Sequence, residues 1–407
     1  DDVGVDRVEF YINGQLRWTE RYAPYKFGTA GTWDTTQDPN GSYTVEARAF
    51  DAAGNATSAR VSVTVANPPP PSPSGTAAGT AERYPFDPSF AFNRPIPAGV
   101  PSDARSDAVI SQLVENMHLS KATLSDESDV PTVYVAAATD PWYTTSVGGR
   151  SVRFRVPDTA VIGGGVDAPM VIQDPNHPDY GASTELRLWQ ASLNRTSHTI
   201  SSSGSGLFHY NNDGALFGGQ ASLGQPFLGW GTGSGLTITA GLIRPDEVRA
   251  GEIRHAIRFS YSNSDFNNQF RAPALRTDQP NGATTRNPAT AMTMGMRLQL
   301  DPAVDCSTRT VPGVSAASPE TRLLRIICVA LQRYGMIAVD GTADRGLVMM
   351  MENNATANWG GIVGFERYGS YSHIIRDLTT PSDGLTRDAN SGIPWNRMRV
   401  LSTSTFG

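Results

Sequence analysis

Apolar and polar residues alternate with a period of two in short runs along most of this chain, and helical periodicity is confined to a few stretches. Val8 to Ile12 alternates, Asn13-Gly14 supplies the strongest two-residue hairpin signal, and Gln15 to Trp18 reads as the return strand. From Gly41 to Ala49, Tyr43, Val45, Ala47 and Ala49 share one face. Asp51 to Asn55 then turns the chain into a strand carrying Val61, Val63 and Val65. Further strands are predicted at Thr132–Ala137, Val152–Val156, Glu185–Ala191, Leu236–Ala240, Glu252–Ser260, Met294–Leu300, Met336–Val339 and Gly346–Met351. A short helix is expected from Ser106 to Leu113 with Ser106 as its N-cap. A longer one runs from Ser318 to Tyr334: Ser318 caps it, Pro319 suits its first turn, and Leu323, Leu324, Ile327, Ala330 and Leu331 make its apolar stripe. Strands outnumber helices, so the fold class is mainly β.

Four consecutive prolines, Pro68 to Pro71, open a Pro/Ser/Gly-rich stretch that can form neither helix nor ladder and favours an extended spacer. It predicts three parts: a small module over residues 1–66, a linker over 67–82, and a large domain over 83–407. A tether of this kind raises the local concentration of one domain near a surface held by the other.

The residues of the first part carry a resemblance. Asp1 to Leu16, Ala23-Pro24-Tyr25 and Asn40 to Asn55 resemble the bacterial Ig-like repeats attached to many secreted depolymerases and surface proteins. That implies an Ig-like sandwich module, and the segment is about two-thirds of the ~100 residues of a whole one. It is therefore expected to lack its first strands, leaving an edge that another copy could pair with. The second part resembles a group of secreted bacterial β-rich proteins through Phe92 to Pro97, Met170 to Pro175, Leu188 to Ala191, Gly241 to Val248 with Gly251 to Ala256, Leu331 to Met336 and Ile393 to Val400. The resemblance implies a jelly-roll or sandwich-like domain with a few helices and brings no activity with it. Members often show Asp-x-His-Met and a Glu in the Trp-containing strand, where this chain has Asp167-Ala168-Pro169-Met170 and Arg187.

Composition narrows the setting. The 407 residues include 40 Gly and 28 Pro, only 18% are charged, and the net charge is −6. That profile suits loop-rich extracellular architecture. With no basic run it argues against nucleic acid as partner, and no apolar stretch is long enough to span a bilayer. A chain starting at Asp1 without Met or a leader reads as processed or partial. Cys306 and Cys328 are the only cysteines, and a disulfide between them is expected in an exported protein.

The richest chemistry lies between Arg244 and His255. Pro245, Asp246 and Glu247 suit the first turn of a short helix that Gly251 stops, and His255 points with Ile257 and Phe259 toward a core or cleft. One reading makes Glu247 and His255, with Asp246, general acid/base groups, and gives Arg244 and Asp265 to substrate. The other makes Glu247 a capping acid and His255 a hydrogen-bonded core residue. Trp189 and Trp230 are candidate sugar-stacking platforms. Asp174 and Asp179 could hold a structural calcium ion, or be solvated acids of a Pro-rich loop; otherwise no cofactor is called for. The expected function is a secreted carbohydrate-active protein that binds, and in an enzymatic form cleaves as a glycoside hydrolase or polysaccharide lyase, an extracellular polysaccharide. The alternative is a non-catalytic structural or adhesive cell-surface protein that self-assembles through its Ig-like module.

Overall fold

The computed structural model describes residues 4–27, 33, 35, 41–66, 90–120, 122–127, 129–180, 184–209, 231–279, 285–343, 346–357, 359–363, 371–378 and 386–402. The Pro-rich segment and Trp230 lie outside them. The chain forms two compact units, Asp1–Ser72 and Pro73–Gly407. The fold is mainly β, as its sequence predicts.

In the first unit, β1 (Arg7–Ile12), β2 (Gln15–Glu20), β3 (Gly41–Phe50) and β4 (Ala56–Val65) form one antiparallel sheet in the order β2-β1-β3-β4. The first hairpin turns at Asn13 and Gly14, whose φ values of 50° and 79° are both left-handed, as a twisted two-residue turn requires. Val8, Ile12 and Val65 are buried. The edge strand β4 is exposed along most of its length.

The described residues of the second unit form two four-stranded sheets, a six-stranded sheet and a two-stranded ribbon. In one four-stranded sheet, β9 (Met170–Gln173) and β10 (Thr184–Trp189) lie between β6 (Thr132–Val135) and β13 (Gly204–His209). The six-stranded sheet runs β20-β17-β18-β14-β19-β5: Met398–Val400, Arg297–Leu300, Met336–Thr342, Ile257–Ser262, Leu347–Met350 and Ala122–Ser125. It is mixed, because β14 runs parallel to β18 and β19 parallel to β5. Parallel neighbours need long crossovers, and the described helices are α1 (Ser106–Leu119), α2 (Pro245–Ala250), α3 (Pro319–Arg333) and a single turn at Gly360–Val363.

This sheet is buried on both faces. Ile257, Phe259, Met336 and Ala338 join Leu323, Leu324, Ile327 and Leu331 of α3 in the main core. Ile337 and Val339 point the other way, into a cluster with Phe90, Phe92, Phe208 and Leu236. Ser318 caps α3 by accepting a hydrogen bond from Thr321 N at 3.1 Å. The expected disulfide is present: Cys306 and Cys328 are bonded, with Cα atoms 5.7 Å apart.

Four local expectations are corrected. Arg105, not Ser106, is the N-cap of α1, and Ser106 Oγ accepts from Val400 N instead. Residues 236–240 form turns, because Thr237 and Thr239 turn inward to a buried carboxylate. The strand expected from Glu252 begins only at Ile257, so His255 precedes the ladder. The run from Met294 to Leu300 is broken into β16 (Met292–Met294) and β17 by Gly295, whose φ of 86° no strand accommodates.

Candidate functional site

The short helix α2 forms where Pro245 and two acids follow Arg244, and Gly251 ends it at φ 84°. Glu247 folds back so that its Oε2 accepts from Arg244 N at 2.9 Å, which meets one of the unpaired donors at the helix start. Its Oε1 lies 2.9 Å from His255 Nε2, a close ion pair whose alignment falls short of a straight hydrogen bond. His255 Nδ1 donates to Ala256 O at 2.9 Å, so the ring is held at both nitrogens. Burial of His255, the largest single influence, works against its charged form, but the Glu247 charge and contact together with the Ala256 carbonyl raise the imidazole above its ordinary value. Arg244 Nε binds Glu352 Oε2 at 2.7 Å.

Glu247 and His255 are 2% and 4% exposed, so the pair is an interior one. A pocket of about 340 Å³ opens between the end of α2 and the start of α3. It is lined by Gly251, Ile253, Ser318, Arg322, Ile326 and Val329 among others, with neither Glu247 nor His255 on its wall. Glu247 thus caps a helix and His255 is a hydrogen-bonded core residue.

The remaining expected residues are dispersed. Asp246 pairs on the surface with Arg249 at 2.7 Å. Asp265 is buried, accepting from Asn116 Nδ2 at 2.7 Å and Arg286 Nη1 at 3.0 Å. Asp174 is fully buried against Arg155 at 3.0 Å, whereas Asp179 is exposed. His177, between them, accepts from the Asp179 and Tyr180 amides and meets Arg153 O, which consumes both ring nitrogens. Among the described residues no three His, Cys, Asp or Glu side chains are grouped to hold a metal. Trp189 stands half-buried at the end of β10, its Nε1 donating to Asp167 Oδ1 at 2.9 Å.

A second cluster, which motif reading missed, gathers around residues 231–240. Arg187 on β10 is 7% exposed and donates through Nη1 to Gly231 O. Glu185, two residues earlier on the same face, is fully buried and accepts from the hydroxyls of Thr237 and Thr239. From the facing sheet Arg258 of β14, 0% exposed, donates through Nη1 to the carbonyls of Thr237 and Ile238. Asp340 of β18 accepts from Gly233 N at 3.0 Å and from Gly341 N. Gly233 is required there, since a Cβ would lie 2.7 Å from Asp340 Oδ1. Burial lifts the Asp340 carboxyl to about 6 despite the opposing Arg258 charge, with the Asp278 charge adding to the rise. Burial also lowers Arg258, to about 10.

The sequence signal for this cluster is weak: Glu185 and Arg187 in β10 and Arg258 and Ser260 in β14 each take the polar positions of an alternating strand. Each reads as an outward-facing residue when a strand is assumed to have one solvated face. Here residues 231–240 cover that face of β10 and of β14, so both charges are buried.

Residues 1–47 match the bacterial Ig domain family. No curated protein and no solved structure matches the chain. Among the described residues no helix is long and apolar enough to cross a membrane.

Proposed function

We propose that the protein is an extracellular bacterial polysaccharide-binding protein in which the mainly-β large unit carries the binding surface. The observation that carries this reading is the bacterial Ig domain match at the head of the chain, followed by a separate β-rich unit with a disulfide. Disulfides persist in oxidising compartments, which supports export. Binding without hydrolysis at Glu247 is favoured, because a glycosidase needs two carboxyl groups reaching the scissile bond. Glu247 is interior and engaged by Arg244 N and His255.

The test is retention on insoluble polysaccharides and affinity electrophoresis against soluble ones, with reducing-end release compared for the wild type and Glu247→Gln. Retention on at least one polymer with no Glu247-dependent release is expected. Failure to bind any polymer, or release that the substitution abolishes, overturns the reading. One observation favours a second, adhesive reading: the edge strand β4 is exposed and carries Val61 at 55% exposure. An unprotected edge invites strand pairing with another chain. Size exclusion over a concentration series would show that association.

A further inference from the structure

Two buried arginines of this fold are saturated by backbone carbonyls. Arg297 gives Nε, Nη1 and Nη2 to Tyr334 O, Ala91 O and Arg94 O. Arg309 does the same with Gly392 O, Ala389 O and Ser391 O. Arg187 and Arg258 depart from this pattern. The Nε of Arg187 and both the Nε and Nη2 of Arg258 are buried with no hydrogen-bond partner, and so is the hydroxyl of Ser260, two residues along β14 from Arg258. Among the described residues neither guanidinium forms an ion pair. Glu185 is drawn to Thr237 and Thr239, and Asp340 to the Gly233 and Gly341 amides.

An unmet buried N–H is costly, and more so on a charged group, so several around one segment call for an acceptor. The acceptor must be small, because Arg258 is fully buried and Arg187 nearly so. Asp340 and Glu185 lie near enough to offset part of the two guanidinium charges, but neither accepts from the unmet N–H groups, and an anionic acceptor meets such charged donors most strongly.

We propose that a small carboxylate binds between Arg187 and Arg258, beneath residues 231–240, accepting hydrogen bonds from the free guanidinium N–H groups, with the Ser260 hydroxyl as a further donor. A planar carboxylate matches the forked donors of arginine better than a spherical ion does. The carboxylate comes either from a free short acid or from an acidic sugar. This inference does not depend on the polysaccharide reading, since it concerns an interior site and a different ligand size.

The experiment is isothermal titration, backed by thermal-shift assays, of the full chain in chloride-free buffer at constant ionic strength. The probes are acetate and glucuronate, with acetamide and glucose as their uncharged counterparts. Saturable binding of at least one carboxylate, with no response to its uncharged counterpart, is the expected result. Acetate alone identifies a free acid as the source, and glucuronate identifies an acidic sugar. Arg187→Leu should weaken that binding at least tenfold, and Arg187→Lys should weaken it less because it keeps the charge. Equal responses to carboxylate and uncharged counterpart, no binding of either carboxylate, or unchanged affinity in a folded Arg187→Leu protein would overturn the site. If both variants fail to fold, the wild-type comparison decides alone.

Discussion

At the scale of single residues, the informative side chains are charges the fold keeps from water. Asp340 is raised to about 6, by burial first, so its folded form holds a proton more tightly than the unfolded chain does. Its contribution to stability is fully present below the unfolded carboxyl value near 4 and is lost as the pH rises through about 6. Asp340→Asn removes that titration while keeping an acceptor for Gly233 N. Urea midpoints from pH 4 to 7 should therefore show the variant gaining on the wild type, by up to about 3 kcal/mol. A pH-independent difference would mean that Asp340 is ionised throughout. His255 is also raised, so the stability its pair with Glu247 adds is present below the ordinary histidine value and fades as the pH climbs past the raised one. Glu247→Gln should cost about 3 kcal/mol at pH 6, as broken buried pairs do, and less in alkali. Denaturation curves at the two pH values provide the check. The sequence named Glu247 and His255 as a pair and left their role open. The same spacing serves a cleft or a core, and the structure places both side chains inside.

At the scale of elements, local signals carried far where the physics is local. The Asn13-Gly14 hairpin and the Ser318-Pro319 helix start lie where their residues direct, since turn dihedrals and caps depend on a few neighbours. The Cys306–Cys328 bond ties the loop after β17 to α3. Replacing both cysteines by Ala should cost about 3 kcal/mol on the chain-entropy argument for a loop of 22 residues. Thiol titration of the denatured, unreduced wild type should find no free cysteine. Gly335, between α3 and β18, has φ 73°, and an added Cβ would lie 2.3 Å from Leu298 O. Gly335→Ala should therefore destabilise by several kcal/mol, since a left-handed strain and a backbone clash add together. A thermal midpoint within 2 °C of wild type would contradict that geometry. Signals failed where a neighbour intervened. Residues 236–240 look like a strand until Glu185 draws Thr237 and Thr239 out of line, and Ser106 reads as a cap until Val400 takes its hydroxyl.

At the scale of the whole molecule, two units with separate cores should not unfold as one. Calorimetry should show two transitions, and a single transition matching its van't Hoff enthalpy would argue that the units are energetically one. The sequence by itself determined the mainly-β class, the Ig-like character of the first residues, the long helix and the cysteine pair. Each rests on periodicity, turn chemistry or a distinctive local pattern. Tertiary structure alone decided that the six-stranded sheet is mixed and covered on both faces. It also decided that Glu247 and His255 lie inside, and that Arg187 and Arg258, 71 residues apart in the chain, both bind carbonyls of residues 231–240. The reason is that burial depends on what covers a strand's second face, and in this chain the covering segments come from distant parts of the sequence.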